Sequence, residues 1–113
     1  MGTLGSFSTS HHSTLFMRII SRGTLRDFWA THADAEQPLR AWFHEASVAT
    51  WTTPAAIKQA YPSADIFPGN RFVFNIKGNH YRLIVKIHYN TGLIFIRFIG
   101  THAYYDKIDA TTI

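Results

Sequence analysis

The feature that most constrains the fold is a stretch of alternating apolar and polar residues between Arg71 and Asp109. A period of two is typical of a half-buried strand, because neighbouring side chains point to opposite faces of a sheet. Gly78-Asn79 separates two such runs, and glycine at the first central position indicates a two-residue type II′ hairpin turn. With a further turn at Asn90-Thr91-Gly92, the stretch predicts three consecutive antiparallel strands.

The hairpin turn sets the pairing of the first two strands, and it predicts these pairs: Lys77 with His80, Ile76 with Tyr81, Asn75 with Arg82, and Phe74 with Leu83. One sheet face is then apolar and has to be covered by helices: Phe72, Phe74, Ile76, Tyr81, Leu83, Val85, Ile87, Ile94, Ile96 and Phe98. The opposite face is predicted to be basic and bare: Asn75, Lys77, His80, Arg82, Lys86, His88, Phe95 and Arg97.

The chain before these strands predicts one short strand and three helices. The strand is at 17–20, and the first helix follows a cap at Ser21 or Thr24. The second helix begins with a capping box at Asp34 or with Pro38 in the first position, and the third begins at Thr53-Pro54. The element order β-α-α-α-β-β-β predicts an α+β fold, with an antiparallel-rich sheet of about four strands and helices packed on one face.

Residues 1–16 are rich in Ser, Thr and Gly and predict a flexible N-terminal tail, with one domain at 17–113. Because Met17 opens the structured part, the tail can be a start-site extension. We expect neither an export signal nor a membrane segment, and therefore a cytoplasmic protein. Without cysteine, neither a disulfide framework nor a thiolate zinc site can form.

Charge indicates the class of partner. The chain carries 11 Lys and Arg against 7 Asp and Glu, a formal net charge of +4 with a pI of about 9.7. Such an excess, clustered on one predicted sheet face, favours a polyanionic partner over a merely soluble basic protein. No phosphate-binding glycine loop, dinucleotide fingerprint or zinc-peptidase motif is present.

Three motifs carry a resemblance to a known family: Phe74-Asn75-Ile76 with Gly78-Asn79, Tyr81-Arg82-Leu83, and the run from Gly100 to Asp109 (GTHAYYDKID). The chain from Met17 to about Ala110 resembles the HigB family of type II toxin–antitoxin toxins. This resemblance implies a RelE-like mRNA interferase, which is a ribosome-associated endoribonuclease. It further implies mRNA and the ribosome as partners, a HigA-type helix-turn-helix antitoxin as inhibitor, and no cofactor or metal.

The residues offer groups for RNA cleavage without a metal, which needs a base, an acid and cations beside the phosphorane. Arg82 and Arg97 are predicted to grip one phosphate from adjacent strands, with His102 at the sheet rim as general acid or base. We expect these three side chains to surround a single phosphodiester. Tyr105 and Lys107 follow within a helical turn and can share the proton transfer.

Further residues are predicted to orient or bind. Asn75, opposite Arg82, can orient the guanidinium, and four residues are predicted to bind RNA: Lys77, Lys86, Phe95 and Arg71. Phe95 can stack an unpaired base or be buried under the C-terminal segment. His102 can instead cap backbone groups, and Arg82 can be a solvated strand residue. The alternative function is a non-catalytic basic RNA- or ribosome-binding module.

Overall fold

The computed structural model of the chain describes residues 17–113, so the predicted tail and its boundary lie outside the described residues. The elements in chain order are β1 (Arg18–Ile20), α1 (Arg22–Thr31), α2 (Glu36–Val48), α3 (Pro54–Ala60), β2 (Asp65–Phe67), β3 (Arg71–Ile76), β4 (Tyr81–His88), β5 (Leu93–Thr101) and α4 (His102–Tyr105). A 3₁₀ turn at Ala33–Ala35 precedes α2.

The sheet confirms the predicted α+β class, with five strands in the order β1-β5-β4-β3-β2. The first strand runs parallel to β5, and all other neighbours are antiparallel. The additional strand is β2, which lies between the third predicted helix and the three predicted consecutive strands. Its three residues pair with β3, and three residues are too few for an alternating pattern to stand out in the sequence.

The hairpin between β3 and β4 has the predicted register: Ile76 pairs with Tyr81, Asn75 with Arg82, and Phe74 with Leu83. The turn centres on Gly78-Asn79, with the His80 amide donating to the Lys77 carbonyl at 3.2 Å.

The alternation predicted that Lys77 lies on the basic face, and this prediction was wrong. It lies outside the strand with a left-handed φ of 52°, which breaks the alternation. Its ammonium group bonds the Asp34 carboxylate at 2.6 Å, and Asp34 also accepts from the Tyr81 hydroxyl.

Helices α1, α2 and α3 cover the apolar sheet face. Their core side chains, buried against the sheet, are Leu25, Leu39, Trp42, Ala46 and Ile57. The predicted start of α3 is confirmed, because the Thr53 hydroxyl accepts from the Ala56 amide at 3.2 Å and Pro54 follows it. The predicted starts of α2 were wrong: the helix begins at Glu36 without a side-chain cap.

The pairing of β4 with β5 contains a β-bulge. Ile84 pairs with Phe98, whereas Val85 pairs with Ile96, so Arg97 is an extra residue on β5. One extra residue reverses the alternation of the strand beyond it. Phe98 was predicted to point toward the helices, but it packs on the opposite face.

That opposite face, which we call the open face, is not bare as predicted. Val73 and Ile84 alternate onto it and are buried together with Ala110 from the C-terminal segment. Side chains that pack around this second apolar cluster are Phe67, Phe98, Tyr105, Ile108 and Ile113. The C-terminal segment therefore crosses the middle of the open face and leaves two polar ends. The hairpin end holds Asn75, Arg82 and Gly100, and the far end holds Arg71, Lys86 and Phe95.

Within residues 17–113, no helix has the length and apolar character needed to cross a membrane.

Candidate active site and RNA-binding surface

Arg82 is the best-positioned cation of the hairpin end. It lies on β4, with Asn75 on one neighbouring strand and Gly100 on the other. Its Nη2 donates to Asn79 Oδ1 at 2.6 Å, and its Cζ lies 5.3 Å from the centre of the Tyr105 ring. Two contacts from different elements therefore fix the guanidinium, which is what presenting a planar fork to a phosphate requires.

Two polar atoms at this end are buried without a partner in the described part of the chain. They are Arg82 Nε, a donor, and Asn75 Oδ1, an acceptor, on directly paired residues. Because an unpaired buried polar group is costly, these two atoms lower the stability of the hairpin end. Asn75 lies beside Arg82 as predicted, but none of the described hydrogen bonds joins the two side chains.

Asn79 makes the contact that was predicted for Asn75, and sequence reasoning missed it. The turn pattern already explained Asn79 as a loop residue, so a second role was not sought. A signal was nevertheless present, because Asn79 lies three residues before Arg82 in a tight turn that bends the chain back on itself.

His102 and Tyr105 reach the site on the short helix α4. The Thr101 hydroxyl accepts from the Tyr104 amide at 3.1 Å and starts this helix, while the His102 amide donates to the His80 carbonyl at 3.0 Å. His102 and Tyr105, whose ring contacts Arg82, are three residues apart and so lie on the same face of this helix. The His102 side chain is 43% exposed and its Nε2 lies 3.7 Å from Asp106 Oδ1. It is therefore open to a substrate.

The pKa of Tyr105 is raised, chiefly by burial and next by the carboxylates of Asp65 and Asp106, while Arg82 opposes the shift. A phenol with a raised pKa stays protonated at neutral pH. Tyr105 can therefore donate a hydrogen bond or a proton, but it cannot act as a base there.

Gly100 makes room for an aromatic ring at this end. A Cβ placed at Gly100 would come within 3.0 Å of Phe98 Cε2 and closer still to Cζ. The Phe98 ring makes an edge-to-face contact with the Tyr104 ring, with 5.5 Å between the two ring centroids. The absence of a side chain at Gly100 thus lets Phe98 lie beside the site.

Arg97 does not join Arg82 and His102 in the described contacts. It is exposed at the bulge, three residues before Gly100, which is about 10 Å along the strand. The predicted convergence of Arg82, Arg97 and His102 on one phosphodiester therefore stays a prediction. Lys107 follows α4 and is exposed, and its only described hydrogen bond is from its amide to the Tyr104 carbonyl.

The residues predicted to bind RNA separate into two groups. Lys86 and Phe95 are paired on the far end of the open face, where the His88 ring meets Phe95 at 4.9 Å. Lys77 and Arg71 are held by the protein itself, because Lys77 pairs with Asp34 and Arg71 Nε donates to the Ile113 carbonyl at 3.1 Å.

Acidic and imidazole side chains do not gather into a metal site in the described part of the chain: residues 17–113 contain no group of three or more that could hold a metal ion.

Comparison with known proteins identifies the family. The HigB toxin family, described as the RelE-like toxic component of a toxin–antitoxin system, matches residues 35–108. The mRNA interferase toxin HigB of Escherichia coli strain K12 is 26% identical over 96 residues, which cover 83% of this chain and 92% of the relative. The mRNA interferase HigB of Escherichia coli O6:H1 is 26% identical over 94 residues, covering 81% and 91%. This chain therefore belongs to the HigB family of RelE-like toxins of toxin–antitoxin systems.

Proposed function

We propose that this chain is an endoribonuclease that cleaves mRNA by attack of a ribose 2′-hydroxyl on the neighbouring phosphodiester. The observation that carries the proposal is the guanidinium of Arg82, held by Asn79 and by Tyr105, whose short helix begins with the accessible imidazole of His102. The relatives named mRNA interferases supply the substrate class.

In the proposed reaction, His102 removes the proton of the 2′-hydroxyl as its oxygen attacks phosphorus. The bond from phosphorus to the 5′-oxygen breaks, and that oxygen takes a proton from Tyr105 or Lys107. The products are a 2′,3′-cyclic phosphate and a 5′-hydroxyl. Arg82 stabilises the negative charge of the phosphorane. A guanidinium that is already held in place does this well, because it does not have to move when the charge develops. Asn79 positions Arg82 and is not itself a reacting group.

We further propose that the message is cut on the ribosome, and hence in the cytoplasm, and that a HigA-type antitoxin neutralises the toxin. A toxin of this family requires an antitoxin partner, because a free nuclease acting on messages arrests growth.

The alternative is a non-catalytic RNA- or ribosome-binding module. The specific observation in its favour is the far end of the open face, where Phe95 pairs with Lys86 and contacts the His88 ring, because binding there requires no proton-transfer cluster.

Induction in a heterologous bacterium, with transcript ends mapped, tests the proposal. Wild type should arrest growth and create new 5′ ends within messages, whereas Arg82→Ala and His102→Ala should do neither. Arg26→Ala, at an exposed position on α1, is the matched charge control and should behave like wild type.

Equal arrest and equal cleavage by His102→Ala would reject the imidazole as a catalytic residue. Ribosome binding by a wild-type protein that cuts nothing would favour the binding module.

A further inference from the structure

We infer that the far end of the open face is a second RNA-binding site, in which an unpaired base stacks on Phe95 at a distance from the scissile bond. This inference rests on the proposed RNA substrate. It assigns a ligand to a part of the sheet that the cleavage chemistry does not use.

Phe95 is a large aromatic residue that does not pack in the described core. It lies on β5 between Lys86 of β4 and Ile20 of β1, and it is only half-buried. Among residues 17–113 it belongs to neither apolar cluster, so the C-terminal segment that covers Ile84 does not bury it. The His88 ring meets it nearly edge-on, at 4.9 Å and 69°. The ring is therefore held in place from one side.

Two cationic side chains lie close to this ring. Lys86 is its direct neighbour on β4, and Arg18 of β1 pairs with Leu93, two residues before Phe95. Strands β1, β4 and β5 contain no aspartate or glutamate, so no carboxylate on them offsets these cations. An aromatic ring among cations on a sheet surface is the arrangement that binds single-stranded nucleic acid, because the ring stacks a base while the cations meet the backbone.

A cavity of about 290 Å³ lies at the end of β4, where Phe95 does not line it but two neighbours of Phe95 do. Lys86 and His88 line both the cavity and the surroundings of Phe95, and the remaining wall includes the amides and hydroxyl of Asn70, Asn90 and Thr91. These groups can donate to and accept from a base edge or a ribose hydroxyl. The cavity thus offers polar partners to the nucleotide whose base lies on the ring.

The two polar ends of the open face are too far apart to hold one nucleotide. Arg82 and Lys86 are four residues apart on β4, which is about 13 Å. That length corresponds to roughly four stacked nucleotides at ~3.4 Å each. The second apolar cluster, with Ile84 at its centre, lies between them. An RNA that contacts both ends must therefore be longer than a dinucleotide.

Binding of an unpaired RNA oligonucleotide, measured against salt on the non-cleaving His102→Ala background, tests the inference. Phe95→Leu removes the ring but keeps an apolar side chain, and we expect it to weaken binding at least about fivefold, the lower end for loss of one base stack. Phe95→Tyr keeps the ring and should bind like the parent. Lys86→Ala should lower the salt slope by about one, whereas Arg26→Ala off the open face should not.

Two sources of unpaired RNA, the message and ribosomal RNA, are distinguished by repeating the titration with vacant ribosomes. If Phe95→Leu weakens binding of the free oligonucleotide, the site binds the message. If Phe95→Leu weakens binding of vacant ribosomes but not of the oligonucleotide, the site binds ribosomal RNA. Unchanged binding of both by a folded Phe95→Leu protein would overturn the inference, as would a loss of antitoxin binding alone. Since cleavage is not measured, failure of the nuclease proposal leaves this result interpretable.

Discussion

Replacing Gly100 by alanine should destabilise the protein, although alanine normally stabilises a strand. The new Cβ would press on the Phe98 ring, with Cε2 at 3.0 Å and Cζ closer. Overpacking costs about 1–3 kcal/mol, and exchanging glycine for alanine within a strand returns about 0.5–1 kcal/mol. Because Phe98 is only half-buried and its ring can swing, we expect a net loss in the free energy of unfolding of about 0.5–2 kcal/mol.

The sign of this effect should depend on Phe98. Leucine at that position lacks the colliding Cε and Cζ atoms, so in a Phe98→Leu background Gly100→Ala should stabilise by about 0.5–1 kcal/mol. Urea denaturation of the wild type, the two single variants and the double variant measures the coupling. Gly23→Ala, on α1 where a Cβ meets nothing closer than 3.9 Å, is the control and should not destabilise in either background. Equal effects of Gly100→Ala in the wild-type and Phe98→Leu backgrounds would refute the packing described for this ring.

Three further predictions concern the hairpin end and its neighbour Asp34. Asn79→Ala should slow single-turnover cleavage by about tenfold, the lower end for one lost hydrogen bond to a charged group, while Gln59→Ala, at an exposed position on α3, should not. The pKa of Asp34 is lowered by Lys77 first and by Tyr81 next, so its contribution to stability is present above about pH 4 and is lost as pH falls through the lowered value. Urea midpoints should therefore fall on acidification more in wild type than in Asp34→Asn, and parallel curves would contradict this. If an imidazole is the base, the cleavage rate should rise between about pH 5.5 and 7.5; a flat profile would count against His102.

The parts of the fold that depend on a few adjacent residues could be predicted from the sequence. The turn at Gly78-Asn79 determined the register of β3 with β4, and Thr53 with Pro54 marked the start of α3, because each depends only on adjacent residues. The bulge at Arg97 had no such signal. The run LIFIRFI alternates equally well with or without one extra residue, so only the partner strand decides which side Phe98 faces.

The site was predictable as a set of residue types but not as an arrangement. Arg82, Tyr105 and His102 were chosen from their chemistry and their roles stay predictions, whereas the position of Arg97 depended on the bulge. The cover over the open face did have a signal: Val73 and Ile84 alternate into the basic face, and Ile108 and Ala110 lacked a partner. The prediction for Lys77 was wrong because an alternating pattern does not indicate that a residue adopts a left-handed backbone conformation.

The central claim is that cleavage takes place at the hairpin end of the open face, around Arg82. Single-turnover cleavage of one message by Arg82→Ala and by Arg97→Ala, both checked for folding, tests it most directly. Loss of a fixed charge-stabilising donor costs about 100- to 1,000-fold, and we predict that loss for Arg82→Ala, with less than about tenfold for Arg97→Ala. Cleavage by Arg82→Ala at the wild-type rate, or an equal loss in both variants, would contradict the account.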